Sequence, residues 1–132
     1  MPNTSYKFIG LKTVGIFVLA FGAITGNARA AGNIEKGANV FKTKCAICHS
    51  TLKGKNKIGP SLHALVGRKA ATAPKYSYSS AMRKSGLTWD EATLNSYLKA
   101  PRKKVKGTKM SFPGLGKASQ REDIIAYLKT LK

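Results

Sequence analysis

Two thiols three residues apart, with an imidazole directly after the second, stand in the run Cys45-Ala46-Ile47-Cys48-His49. On a helix, positions i, i+3 and i+4 share a face. Both thiols can then reach the two vinyl groups along one side of a haem, while His49 reaches the iron as its proximal ligand. Thioether bonds made this way would hold the group through changes of oxidation state. Other chemistries suit the residues less well. A structural zinc site takes four ligands, and the chain offers only Cys45, Cys48, His49 and His63, of which Cys48 and His49 are adjacent and hard to seat on one tetrahedron. A dithiol oxidant wants a βαβ context that the sequence does not display. His63, between Leu62 and Ala64, reads as a loop or partly buried histidine and is given no role.

An iron with one histidine needs a partner on its other face, and the choice decides between binding small molecules and passing electrons. The methionines are Met1, Met82 and Met110. Met82, in Ser80-Ala81-Met82-Arg83-Lys84, is adequately explained as flexible packing. Met110 lies in Gly107-Thr108-Lys109-Met110-Ser111-Phe112-Pro113-Gly114, a stretch without helical periodicity, where a loop can drape a thioether over the iron. Met110 is therefore favoured over Met82.

Three helices are expected to position these groups. Asn33 is placed to cap a stripe of Ile34, Ala38, Phe41, Cys45 and Cys48. Thr88-Trp89-Asp90-Glu91 has capping-box spacing ahead of Leu94, Tyr97 and Leu98, with Pro101 ending the segment. Ser119-Gln120-Arg121-Glu122 repeats that signal before Ile124, Tyr127, Leu128 and Leu131. Alternating strand patterns are nearly absent, and Gly, Pro and Lys dominate residues 50–76 and 100–118. Loops of such length usually hold something. The expectation is a small all-α domain with long loops.

The chain has 132 residues, 24 Lys plus Arg against 5 Asp plus Glu, and a formal net charge of +19. Such a surface attracts nucleic acid, anionic lipid or acidic protein. Lys7 and Lys12 precede an apolar run from Val14 to Ile24, followed by Ala28-Arg29-Ala30, which is a secretory signal in outline. Residues 1–30 are read as a signal peptide, with an uncleaved membrane anchor as the alternative, and residues 31–132 as one domain. Losing Lys7, Lys12 and Arg29 lowers the +19 charge by three to +16. Either reading places the domain outside the cytoplasm and argues against nucleic acid as partner.

With these motifs in order the chain resembles a class I cytochrome c, close to the mitochondrial protein and its bacterial periplasmic relatives. The resemblance is carried by Gly37 and Phe41, the attachment run, Gly59-Pro60, Leu62, Leu65, Gly67-Arg68-Lys69, Tyr76-Ser77-Tyr78, Trp89, Tyr97-Leu98, Pro101, Gly107 to Met110, Phe112 and Ile125 to Leu128. It implies a small class I cytochrome c fold, three main helices and long loops wrapped around one haem c. It implies covalent attachment through Cys45 and Cys48, iron ligation by His49 and Met110, and a Pro60 carbonyl accepting the His49 proton. Arg68, Tyr78, Trp89 and Thr108 would surround the propionates, and Tyr97 would hydrogen-bond near the Met110 sulfur. Gly37 and Phe41 would meet Tyr127 and Leu128 where the terminal helices cross.

The activity implied is single-electron transfer rather than catalysis, in a respiratory or photosynthetic chain of the bacterial periplasm. The implied partners are acidic redox proteins such as a quinol-oxidising complex and a terminal oxidase. Lys42, Lys44, Lys53, Lys55 and Lys57 beside the attachment run, and Arg102, Lys103, Lys104, Lys106 and Lys109 before Met110, would steer them. Membrane contact would follow only from a retained N-terminal segment, and a peroxide-activating enzyme would need Met110 detached. Three departures stand out: Lys106 where the family commonly has proline, Lys104 in place of an aromatic, and Met82 at an often polar position. Without the proline, the Met110 loop is less restricted, so a lysine such as Lys103 or Lys109 is expected to displace Met110 more readily at alkaline pH.

Overall fold

The computed structural model describes residues 1–2 and 31–132. The signal-peptide or anchor reading falls on the remainder and lies outside the described residues. Among the described residues, no helix is long and apolar enough to cross a membrane.

Helix α1 spans Ile34–Val40, and the Asn33 side chain caps it by accepting from the Lys36 amide at 2.8 Å. The Asn33 amide in turn donates to Asp123 at 2.7 Å, tying the start of α1 to the C-terminal helix. That helix, α5, spans Ala118–Leu128. The two can cross closely because a Cβ on Gly37 would overlap the Asp123 carbonyl and one on Gly32 the Glu122 carbonyl. The Phe41 and Tyr127 rings pack in a tilted arrangement beside this crossing, with centroids 5.6 Å apart. Ile124, Ile125, Leu128, Val40 and Phe41 are buried around it, each large apolar side chain contributing about 1.5–3 kcal/mol. Ile34, expected on this stripe, is instead half exposed at the first turn, and Gly37 takes the contact.

Beyond Val40 the helix widens into a π-helical turn over Phe41–Cys45, closed by an Ala46 amide to Phe41 carbonyl bond of 2.9 Å. Such widened turns recur at functional sites. Cys48 and His49 therefore follow the helix in a turn, not on the regular α-helical face the spacing suggested. The Cys48 and His49 amides both bond to the Cys45 carbonyl, at 3.0 and 2.9 Å, which keeps the run coiled.

Helix α2 (Ser80–Lys84), α3 (Glu91–Lys99) and α4 (Pro101–Lys104) complete the architecture. Among the described residues there is no strand, only an isolated antiparallel bridge between Lys69 and Thr88. The architecture is all-α, with α2 and α4 added to the three expected helices. Both are too short to show a period.

Both capping boxes are displaced. Thr88 is held in the bridge, and Trp89 exchanges backbone bonds with Arg68 and Gly67. The helix begins only at Asp90, whose side chain accepts from Thr93 at 2.7 Å. Ser119 lies inside α5, which starts after Lys117 without a side-chain cap. Buried Arg121 holds the approach to this helix, donating to the Leu115 and Gly116 carbonyls at 2.7 and 2.8 Å and to Asn95 at 2.6 Å. Leu131 lies past the helix, its carbonyl accepting from Ala64 at 2.7 Å. Pro101 both stops α3 and occupies the first turn of α4, where its missing N–H is harmless.

Candidate haem-binding site

The long loops enclose a cavity of about 500 Å³, within the range of about 300–1,000 Å³ usual for small-molecule sites. All nine residues singled out from the sequence line it: Cys45, Cys48, His49, Arg68, Tyr78, Trp89, Tyr97, Thr108 and Met110. Most of the rest of its lining is apolar, with Leu94, Ile124 and Leu128 at its base.

One wall is the attachment run. Cys45 and Cys48 are not joined by a disulfide. Burial, with Cys48 nearby, pushes the Cys45 thiol up to about 11. His49 Nδ1 lies 2.7 Å from the Pro60 carbonyl oxygen. A carbonyl only accepts, so Nδ1 carries the proton and Nε2 the lone pair. Burial keeps the imidazole neutral, the pull of the Pro60 bond being smaller and nearby Lys57 adding to the burial effect. Gly59 lies flat against this ring, where a Cβ would overlap it. Its amide donates to the Cys48 carbonyl at 2.7 Å.

A second wall carries Met110. The Tyr97 hydroxyl lies 3.9 Å from the Met110 sulfur and 3.3 Å from the Thr108 hydroxyl, whose oxygen also accepts from the Met110 amide at 3.3 Å. Desolvation raises the Tyr97 phenol, so it remains a donor. Trp89 and Tyr97 pack ring against ring at 4.9 Å. Lys109 reaches across to the Ser77 carbonyl at 3.0 Å, fastening the methionine loop to the Tyr78 segment. Buried Met82 also lines the cavity, but its sulfur lies 3.9 Å from Ser85, which ends its own helix.

Arg68 also lines the cavity. Its two terminal nitrogens donate to the His63 and Ser61 carbonyls at 2.8 and 3.0 Å, while its Nε is buried without a partner. An unpaired buried donor on a cation costs free energy unless a ligand supplies an acceptor. Burial lowers the Arg68 pKa, an effect that Tyr78 opposes. A largely apolar cavity lined by a neutral imidazole, a thioether, two thiols and a guanidinium with an orphaned nitrogen fits a haem with an acidic side group.

Two residues outside the expected pocket set fasten its loops: Asn56, given no role in the sequence, and Lys57, expected there only as a docking cation. Asn56 donates to the Pro74 carbonyl at 2.9 Å and accepts from the Ser61 amide at 3.0 Å, joining two loops. Lys57 donates to the Ala46 carbonyl at 2.6 Å. Only their position amid glycine and lysine in a long loop could have flagged them.

Comparison with known proteins agrees with this geometry. The family model described as Cytochrome c matches residues 34–132. The chain belongs to the cytochrome c family. Members of this family are electron-transfer proteins, not enzymes, and carry haem c on two cysteines, here Cys45 and Cys48. The cytochrome c of Gibberella zeae is 54% identical over 101 residues, covering 76% of this chain and 95% of that protein. Cytochrome c2 of Rhodoblastus acidophilus is 52% identical over 103 residues, covering 77% and 95%. The solved structure of cytochrome cH from Methylobacterium extorquens superposes with a TM-score of 0.71 at 48% identity, covering 75% of this chain and 99% of that one. This cytochrome c chain is thus a haem-containing electron carrier that works with redox partners.

Proposed function

We propose that residues 31–132 form a periplasmic carrier with His/Met-ligated haem c, shuttling single electrons between a quinol-oxidising complex and a terminal oxidase. The observation that carries the reading is the pairing of a tautomer-fixed His49 with a Met110 whose sulfur has the Tyr97 hydroxyl 3.9 Å away. Bound in this cavity, the haem supplies one reversible electron at its iron.

The chain's own residues set the terms of that exchange. Cys45 and Cys48 tether one edge, so the cofactor is not lost between partners. Pro60 orients the His49 ring and strengthens its donation. Met110 offers a soft thioether that favours the reduced metal and raises the potential. Tyr97 and Thr108 hold that thioether in place, and Arg68 would offer its unpaired Nε to an acidic side group of the haem, with Tyr78 and Trp89 also lining the cavity. With His49 and Met110 both holding the metal, no place would be left on it for a substrate and little would move when charge changes. The exposed lysines near Cys45 and before Met110 draw acidic partners into short-lived complexes. The exported location rests on the charge and apolar pattern of residues 1–30; the alternative is an anchor on the periplasmic face of the inner membrane.

A pyridine haemochrome assay should report covalent haem, and the oxidised protein should show a methionine-to-iron charge-transfer band. Met110→Ala should abolish the band while Met82→Leu keeps it. A band that survives in Met110→Ala would overturn the assignment. Electron transfer to a terminal oxidase should slow steeply as salt rises; salt-independent rates would remove the electrostatic docking.

A further inference from the structure

A second, smaller cavity of about 240 Å³ shares no residue with the haem site: it is lined by Ala81, Ser85, Leu87, Lys104, Val105 and Lys106. It falls below the ~300–1,000 Å³ of sites that take drug-sized ligands, so its occupant must be small. The cavity lies in the seam between the end of α2 and the segment leading to Met110. Ala81, Leu87 and buried Val105 give it an apolar floor. The Ser85 hydroxyl already donates to the Met82 carbonyl at 2.8 Å, which leaves recognition of charge to the two lysines.

Lys104 and Lys106 are exposed, and among the described residues neither has a carboxylate within ion-pair distance. Asp90 feels Lys104 only as the least of the influences that lower its pKa. Exposed Arg102 and Lys103 precede the pair, and exposed Lys84 precedes Ser85. Like charges thus gather around an apolar hollow, where an anion would relieve their repulsion. We propose that this cavity is a site for a small organic dianion, a short dicarboxylate, with one carboxylate on each ammonium group and the connecting carbons over Ala81, Leu87 and Val105. Inorganic phosphate would meet the lysines but leave the apolar floor bare. Because Lys104 and Lys106 stand where the family commonly has an aromatic and a proline, the site is a property of this chain rather than of its family.

Binding there has a consequence at the haem site. The Val105 carbonyl accepts from the Thr108 amide at 3.1 Å, and the Thr108 hydroxyl oxygen accepts from the Met110 amide at 3.3 Å. A Cβ on Gly107 would stand 3.2 Å from the Ala81 Cβ, so this loop already rests against α2. A dianion that holds Lys104 and Lys106 over Ala81 and Leu87 closes the same seam and opposes the loop movement that frees Met110. A ligand that binds the closed loop and not the open one stabilises the closed form by mass action. At ten times its dissociation constant, the pH at which the methionine leaves in a one-proton step rises by about one unit. This coupling rests on the His49 and Met110 ligation proposed above; the site itself does not.

The test is a titration of the reduced holo-protein with glutarate at neutral pH and constant ionic strength, followed by its amide resonances. Those of Ser85, Leu87, Val105 and Lys106 should shift together and saturate, and phosphate should bind there more weakly. Lys104→Gln with Lys106→Gln should weaken glutarate binding about ten-fold. Lys36→Gln with Lys132→Gln, which removes the same charge from exposed positions elsewhere, should leave it unchanged. Absence of a saturable shift, equal affinity for phosphate, or equal weakening in both double variants would overturn the site. Glutarate at ten times its dissociation constant should also raise the alkaline midpoint of the methionine-to-iron band by about one unit, and the effect should vanish in the Lys104 and Lys106 variant. An unmoved midpoint with intact binding would overturn the coupling. If the band is missing from the outset, the Met110 ligation falls, and the amide titration still judges the site.

Discussion

The two walls of the cavity are built to different standards of rigidity. On the attachment wall, backbone bonds from Gly59 to Cys48, His49 to Cys45 and Leu62 to Ser50, all 2.7–2.9 Å, combine with the His49–Pro60 and Lys57–Ala46 bonds to fix each turn. On the methionine wall, Met110 depends on longer contacts of 3.3 and 3.9 Å from Thr108 and Tyr97, and on one lysine reaching Ser77. Opening should therefore begin at Met110 and leave His49 in place. A carrier gains from that asymmetry, because one face anchors the cofactor permanently while the other tunes it.

The largest effect should come from disturbing the rigid wall. Gly59→Ala drives a methyl into the His49 ring against backbone that cannot retreat, and should cost about 3 kcal/mol, measured as a lower denaturation midpoint with less covalent haem. Normal stability would mean that this wall yields more than its bonds suggest.

Acid should act on the same wall. In the chain before haem is attached, folding lowers the His49 pKa, first by burial, so below the ordinary 6.5 the unfolded chain binds a proton that the folded one resists. Unfolding free energy at His49 is thus unaffected above 6.5 and falls as pH drops towards the depressed folded value. Guanidinium midpoints of the haem-free chain across that range would show it; a flat profile there would contradict the buried neutral imidazole.

Smaller effects belong to the methionine wall. Tyr97→Phe removes a hydroxyl shared by Thr108 and Met110 and should loosen methionine ligation by about 1 kcal/mol, read from the charge-transfer band during alkaline titration. Lys106→Pro should tighten the loop by only about 0.4–1 kcal/mol. Val105 already has φ −127° and ψ 91°, close to the extended form favoured before proline. The same titration should show methionine retained to higher pH; an unmoved midpoint would mean that Lys106 does not govern the loop.

Much of this was legible in the sequence because the relevant signals are local. Cys45 to His49 specify their chemistry through spacing, Asn33 caps the helix it was expected to cap, and the apolar residues of α3 and α5 mark their buried faces. The failures were longer-range. Asp90 replaced Thr88 as a cap because Thr88 was engaged by Lys69, and Arg121 made a cap at Ser119 unnecessary by gripping the loop before α5. Periodicity could not foresee the widened turn before Cys45, since one extra residue per turn leaves no mark in an apolar pattern. Nor could it foresee the Lys57 clamp, which joins residues eleven apart.

The joint made by Asn56 has a consequence of its own. Its amide holds the Ser61 and Pro74 segments together with one acceptor and one donor, neither of which takes up or releases a proton near neutrality. This fastener is blind to pH. The belt of loops around the cavity keeps its girth at that seam as the medium turns acid or alkaline.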